Sequence, residues 1–145
     1  MTTKIVVGLD GESSGERAVA FARTLAERMD ACEVILVYVI EWSPFTFQTA
    51  EENAQRHKRR EEEIEAATSR VVEPAVAALT KNGMNARGVV RHGDVAEILE
   101  RIASEEGATQ IVVARKSETG FAQRLFGSST VNLVTHASVP VTVVA

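Results

Sequence analysis

Residues 110–129 read QIVVARKSETGFAQRLFGSS and contain three successive patterns. The first five residues form an apolar run rich in β-branched side chains, which predicts a strand. A polar segment follows, and Gly127, Ser128 and Ser129 then indicate the start of a helix. This order is typical of phosphate sites in open α/β folds, because free backbone N–H groups and the positive end of the helix dipole point at the ligand. The stretch therefore predicts an α/β fold and a candidate phosphate site.

The rest of the chain continues this alternation of short apolar runs and longer amphipathic stretches. Several runs are almost continuously apolar, as expected for strands that are buried on both faces of a parallel sheet. The predicted strands are 4–9, 33–40, 85–91, 110–114 and 140–145, and the predicted helices begin near Ser13, Thr49, Asp94 and Ser128. The order β-α-β-α-β-α-β-α-β predicts one domain, residues 1–145, with a parallel sheet and helices on both of its faces.

The helix ends carry more specific predictions. Ser13 with Glu16, and Asp94 with Glu97, have the spacing of capping boxes at the starts of the first and third helices. Pro74 lies inside the long second helix pattern. Because proline has no backbone N–H, it should remove one hydrogen bond there and kink the helix.

The composition excludes several classes of protein. The chain has 145 residues, a net charge of −4 and 45% apolar residues, and a basic face for nucleic acid is therefore not expected. It contains no apolar run of membrane-spanning length and no N-terminal signal-peptide pattern, so we expect a cytoplasmic protein without a membrane partner. Cys32 is the only cysteine. It excludes an internal disulfide, and we interpret it as a buried core thiol at the start of a strand.

Two loops are predicted to meet at a ligand-binding crevice. In open α/β sheets, ligands bind beyond the carboxyl ends of the strands, where the strand order reverses. With the first strand in the centre, the loop 10–14 and the loop 114–129 face each other across that point. The carboxylate of Asp10 would accept hydrogen bonds from adenine or ribose, and the second loop would hold phosphates. This pairing suits a nucleotide.

At these residues the chain resembles the universal stress protein (UspA) family. The resemblance covers essentially all of the chain. It is carried by KIVVGLDGESSGERAVAFA (4–22), EVILVYVIE (33–41), HGDVAEILERIASEEGATQIVVA (92–114), RLFGSS (124–129) and HASVPVTVVA (136–145). It implies a single-domain, open, five-stranded parallel sheet of order 3-2-1-4-5, with helices on both faces, in the adenine nucleotide alpha-hydrolase-like group. It also implies a homodimer, and many members bind ATP through a loop of the form G-x2-G-x9-G-[ST].

The loop of this chain matches that pattern in part. Gly127 and Ser128 match its final G-[ST], whereas Ala114 and Ser117 occupy the positions of its two leading glycines. An alanine with negative φ at a strand end replaces glycine with little cost. A serine in a left-handed conformation costs about 1–2 kcal/mol.

Further binding residues follow from the resemblance and from charge. Asp10 matches the acid of the first strand, Val39 the residue whose backbone meets the adenine, and Ser129 continues the phosphate-binding backbone. Arg115 and Lys116 bring positive charges that either pair with phosphates or are solvated surface charges. The predicted nucleotide-binding residues are Asp10, Val39, Ala114, Arg115, Lys116, Ser117, Gly127, Ser128 and Ser129.

The predicted function is the binding of ATP or AMP by a sensor or regulatory module of the stress response. One alternative is an interaction or scaffold dimer of the same fold that binds no nucleotide, and a second is a slow nucleotide hydrolase. The chain contains neither GxxxxGK[ST] nor GxGxxG. No catalytic residue and no metal ligands are predicted, so any ATP hydrolysis should be weak, and a need for magnesium is left open.

The last strand predicts a partner. Residues 138–145 would form an edge of the sheet in the order 3-2-1-4-5, and an unprotected apolar edge invites pairing. The resemblance implies that this strand pairs antiparallel with the same strand of a second copy. Pro140, near its start, limits such pairing without blocking it.

Two further features have more than one interpretation. The aromatic residues of loop 42–47 cover either the domain's own core, or a ligand or partner. His92 is predicted to be a loop histidine near the surface, with an approach to the crevice as the alternative.

Overall fold

The computed structural model describes residues 2–41, 49–115 and 128–145. Within these ranges the strands are β1 (Thr3–Leu9), β2 (Cys32–Glu41), β3 (Asn85–Gly93), β4 (Gln110–Ala114) and β5 (Val141–Val144). The helices are α1 (Ser13–Glu27), α2 (Ala50–Ala67), α3 (Glu73–Lys81), α4 (Val95–Glu106) and α5 (Ser128–His136), and a π-helical turn, Thr68–Val72, joins α2 to α3. Of the helices in these ranges, none has the length and apolar character that crossing a membrane requires. The aromatic loop 42–47 lies outside the described residues.

The sheet has the predicted order. All neighbouring strands are parallel, and they follow one another as β3-β2-β1-β4-β5. β1 is central, with Val6 opposite Ile35 of β2 on one side and Ile111 of β4 on the other. After β1 the chain adds β2 and β3 on one side of it and then β4 and β5 on the other side, so the strand order reverses at β1. This reversal leaves a crevice beyond the carboxyl ends of β1 and β4.

Apolar side chains project from both faces of the sheet and form two hydrophobic cores. Ile5 and Val7 of β1 belong to the core under α1 and α3, whereas Val6 belongs to the core under α4 and α5. All three are fully buried. This burial on both faces explains why the central strands read as continuous apolar runs rather than as an alternation of apolar and polar residues.

The start of α1 differs from the prediction. Ser13 is the first residue of the helix and Glu12 occupies the N-cap, without a capping bond from its own side chain. The predicted capping box of Ser13 with Glu16 is therefore wrong. The helix start is bonded by Asp10, whose Oδ1 accepts hydrogen bonds from the backbone N–H groups of Glu12 and Gly15. The carboxylate reaches them from the end of β1.

The start of α4 follows the prediction in part. Asp94 is the N-cap, and its Oδ2 accepts a hydrogen bond of 3.0 Å from the backbone N–H of Glu97. The carboxylate of Glu97 bonds with Arg101 Nη2 at 2.7 Å, which replaces the reciprocal bond of a capping box. Gly107 caps the C-terminal end of the helix in a left-handed conformation.

The chain accommodates Pro74 through the π-helical turn. This turn lies just before the proline, and the N–H of Glu73 bonds with the carbonyl of Thr68, five residues earlier. The wider turn sets Val72 directly against β3, where it is only 3% exposed. It packs over Gly88, and a methyl group at that position would overlap Val72 Cγ1. The close approach therefore depends on a glycine in the strand.

Cys32 begins β2 and is half-buried beside the core under α1 rather than fully buried. Burial raises the pKa of its thiol, and the neighbouring carboxylate of Glu33 raises it further. The thiol therefore stays protonated at neutral pH.

Candidate functional site

A crevice of about 470 Å³ lies beyond the carboxyl ends of β1, β2 and β4. It occupies the point where the strand order reverses, as predicted for a ligand site in this fold. Four of the residues predicted from the sequence line it: Asp10, Val39, Ala114 and Ser129. They come from the end of β1, from β2, from the end of β4 and from the first turn of α5. The tertiary structure thus brings together residues that are up to 119 positions apart.

Asp10 is fixed in place by the helix that follows it. Its Oδ1 accepts hydrogen bonds from the backbone N–H of Glu12 at 2.8 Å and from that of Gly15 at 3.0 Å. Within the described residues, no hydrogen bond to Oδ2 is recorded. The carboxylate therefore has one oxygen committed to α1 and a second with acceptor capacity at the wall of the crevice.

The floor of the crevice is apolar. Val39 lines it and is 8% exposed, because its side chain also packs into the core under α4 and α5. Gly8 of β1 also lines the crevice, and a Cβ there would lie 3.0 Å from Val113 Cγ1 and 3.1 Å from Leu99 Cδ1. The absence of a side chain at Gly8 therefore allows Val113 and Leu99 to pack closely against β1 at the floor of the crevice. The sequence contained a signal for it, since a glycine inside a strand often marks a close approach.

Tyr38 is a lining residue that the sequence prediction missed. It pairs with Leu9 in the sheet register, and its ring lies close to the Asp10–Gly11 turn. A side chain at Gly11 would meet Tyr38 Cε1 at 3.5 Å. The available signal was a single polar aromatic residue inside the apolar run of β2.

The end of β4 shows how the candidate loop begins. Ala114 is the last residue of the strand and lines the crevice. Among the described residues, positive φ angles occur only at glycines, so Ala114 occupies a conformation that tolerates its methyl group. Arg115 bonds through its backbone, with its N–H donating to the carbonyl of Val144 at 2.9 Å and its own carbonyl accepting from Arg17 Nη2.

The remaining predicted residues are placed only in part. Arg115 is not one of the described residues that line the crevice. Ser128 is the first residue of α5. Lys116, Ser117 and Gly127 lie outside the described residues, so their predicted roles stay predictions.

His92 corrects another prediction. It belongs to β3 rather than to a loop, and its side chain is only 9% exposed. Its Nε2 lies 3.1 Å from Glu63 Oε2 of α2. His92 is also absent from the described lining of the crevice. The contact joins α2 to the edge of the sheet.

Within residues 2–41, 49–115 and 128–145, no group of three or more His, Cys, Asp or Glu side chains is arranged to hold a metal ion. The described crevice combines the carboxylates of Asp10 and Glu41, an apolar floor and a helix N-terminus.

The model of the universal stress protein family matches residues 1–145 of the chain. The chain belongs to the universal stress protein family. No curated protein matches it.

Solved structures of universal stress proteins share the fold of this family member. A family protein from Burkholderia pseudomallei is 30% identical, with coverage of 98% of this chain and 95% of that chain and a TM-score of 0.66. The universal stress protein UspA from Lactobacillus plantarum is 20% identical, with coverage of 99% and 97% and a TM-score of 0.81.

Two other similar structures are nucleotide complexes. A universal stress protein solved in complex with cAMP is 22% identical, with coverage of 99% of this chain and 96% of that chain and a TM-score of 0.63. The universal stress protein from Archaeoglobus fulgidus solved in complex with dAMP is 16% identical, with coverage of 100% and 98% and a TM-score of 0.62. At these identities the likeness concerns the fold.

Proposed function

We propose that this universal stress protein binds an adenine nucleotide, AMP or ATP, in the crevice and acts as a sensor or regulatory module of the stress response. The observation that carries the proposal is the position of Asp10, whose carboxylate lines the same crevice as Ser129 in the first turn of α5. A hydrogen-bond acceptor and a helix N-terminus on one cavity suit the two ends of a nucleotide.

The size and polarity of the crevice support the proposal. Its volume of about 470 Å³ lies within the range of roughly 300–1,000 Å³ of small-molecule sites. The apolar floor at Gly8 and Val39 suits a flat base, and the oxygen of Asp10 that does not bond with α1 suits a donor on adenine or ribose. The complexes of two relatives with cAMP and dAMP add support from the family.

The phosphate end of the site includes the residues that remain predictions. In our proposal, the backbone from Gly127 to Ser129 binds phosphate at the start of α5, with Arg115, Lys116 and Ser117 beside it. The described crevice presents no general base aligned with a nucleophile. We therefore expect bound ATP to be hydrolysed slowly. Measurements of nucleotide binding with and without magnesium test whether the metal is required.

The proposal is tested with freshly purified protein. Denaturation should release an adenine nucleotide that chromatography identifies, or AMP or ATP added to nucleotide-free protein should raise its melting temperature, with GMP as the base control. A ligand at 100 times its Kd stabilises a protein by about 2.7 kcal/mol. The absence of released nucleotide, together with no shift at millimolar AMP or ATP with and without magnesium, would favour the scaffold alternative.

We also propose that a second copy of the chain pairs with β5, within residues 138–145. β5 forms an edge of the sheet, with β4 as its neighbour, and its residues are half-buried valines and a threonine. An apolar edge strand with unpaired backbone groups favours pairing. Sedimentation of the 15.7 kDa chain at tens of micromolar should give about twice that mass. A monomer throughout that range would contradict the dimer.

We also propose that the protein is located in the cytoplasm.

A further inference from the structure

Arg17 connects α1 to the end of β4. Its guanidinium donates a hydrogen bond from Nη2 to the backbone carbonyl of Arg115, the residue that follows the strand. The two residues are 98 positions apart, and the contact is partly buried. A hydrogen bond from a charged donor to a carbonyl, shielded from bulk water, is stronger than a hydrogen bond between neutral groups at the surface.

The same helix is held at its start by Asp10. The carboxylate reaches the backbone N–H of Gly15, and Arg17 lies two residues further along α1. The first turns of α1 therefore bond with the end of β1 through Asp10 and with the end of β4 through Arg17. Residues at these two strand ends, Asp10 and Ala114, both line the crevice.

Arg115 has both of its backbone groups bonded. Its N–H donates to the carbonyl of Val144, which makes it the last step of the pairing between β4 and β5. Its carbonyl accepts from Arg17. Loss of the guanidinium would leave that carbonyl without its donor, and the end of the strand would open more easily.

We propose that Arg17 is a positioning residue for the nucleotide site: it fixes the end of β4, so that Ala114 keeps its place in the wall of the crevice. This inference rests on the proposed function. Arg17 acts through the backbone of Arg115. It raises the affinity because the wall of the crevice is ordered before the ligand binds, so binding does not have to order it.

The experiment compares Arg17→Met, which removes the donor, with Arg17→Lys, which keeps a cationic donor. Arg23→Met is the matched control, since Arg23 lies on the same helix, is exposed and pairs with Glu27 of that helix. Amide hydrogen exchange measured by NMR reports on Arg115, with Ile111, whose N–H bonds with the carbonyl of Pro140, as the internal reference. Calorimetry reports the Kd for AMP and ATP.

In Arg17→Met we expect exchange at Arg115 to become about tenfold faster, with Ile111 unchanged, and the Kd to rise about five- to tenfold. Arg17→Lys should recover most of both effects, and Arg23→Met should show neither. Unchanged exchange at Arg115 in Arg17→Met would overturn the anchor. Faster exchange with an unchanged Kd would overturn its role in the site. If the wild type binds no nucleotide, the proposed function fails and the positioning role falls with it, whereas the exchange data still decide whether the anchor exists.

Discussion

The carboxylate of Asp10 bonds with the backbone N–H of Gly15 at 3.0 Å, so the residue that directly follows β1 also holds the start of α1. Sequence reasoning assigned this carboxylate to a ligand and the capping of α1 to Ser13. In the structure one oxygen of Asp10 bonds with the helix and the other has no recorded bond within the described residues. A substitution that changes only one oxygen therefore separates the two roles.

Asp10→Asn is expected to weaken nucleotide binding while the fold is retained. The amide oxygen of asparagine still accepts from α1, but the second oxygen becomes an NH₂ donor. Loss of a charged hydrogen bond of about 1.5–3 kcal/mol raises the Kd for AMP or ATP at least tenfold. Calorimetry measures this change, and thermal unfolding should shift little.

Asp94→Asn is the control for that prediction. Asp94 caps α4 in the same manner but lies outside the described lining of the crevice. It should leave the Kd unchanged. Equal affinities in the Asp10→Asn variant and the wild type would remove Asp10 from the proposed site.

Gly88→Ala is expected to destabilise the fold strongly. A methyl group on Gly88 overlaps Val72 Cγ1, and both the strand and the π-helical turn must shift to make room. Overpacking of this kind costs about 1–3 kcal/mol. Urea unfolding of the variant measures the cost.

A double-mutant cycle tests the cause of that loss. Val72→Ala removes the atom that is overlapped, so Gly88→Ala should cost less in the Val72→Ala background. Residues in direct contact show coupling energies of about 0.5–3 kcal/mol. Additive effects of the two substitutions would show that the overlap is not the reason.

Glu63→Ala is expected to destabilise the protein more than Glu61→Ala. Both carboxylates lie 3.1 Å from a histidine Nε2, but His92, the partner of Glu63, is 9% exposed, and His57, the partner of Glu61, is 74% exposed. Loss of the bond to the buried ring should cost about 1 kcal/mol. Loss of the exposed pair should cost about 0.5 kcal/mol or less. Equal midpoints of chemical denaturation at neutral pH would contradict the difference.

Glu106 should make the free energy of unfolding depend on pH in the acid range. The hydrogen bond from Lys4 lowers the pKa of its carboxyl, partial burial opposes this, and the charge of Arg87 lowers the pKa further. Because the folded-state pKa lies below the unfolded-state value of about 4.3, the stabilisation is fully present above that value. It is lost as the pH falls through the folded-state pKa.

Glu106→Gln checks this dependence. The variant should be less stable than the wild type at pH 7, and the difference in free energy of unfolding should narrow as the pH falls below about 4. Urea titrations at several pH values measure the difference. A gap that stays constant into strong acid would exclude Glu106 as its source.

Much of the fold was predictable because its signals are local. The apolar runs of β1, β2 and β4 identify buried parallel strands, and the cap at Asp94 is bonded within four residues of chain. The strand order came from the family resemblance and agrees with the structure. Pro74 correctly marked an interruption of the long helix, but the form of that interruption, a π-helical turn over Gly88, depends on packing against β3.

The crevice was predictable where it follows from topology. Asp10 follows β1 and Ala114 ends β4, so the parallel pairing of these two strands brings both residues to one edge of the sheet. Tyr38 and Gly8 were missed because their role depends on which neighbours approach them. His92 was placed in a loop because its partner, Glu63, is 29 positions away and nothing local indicates the contact.

The sequence by itself determined the alternation of strands and helices, the family, and the two chain segments that supply the crevice, since hydrophobic periodicity and motif spacing are properties of short stretches. Only the tertiary structure decided that Asp10 holds α1, that His92 is buried against α2 and that Arg17 bonds with the end of β4. These contacts require side chains from separate elements to reach within about 3 Å of one another. That distance is set by how helices pack on the sheet.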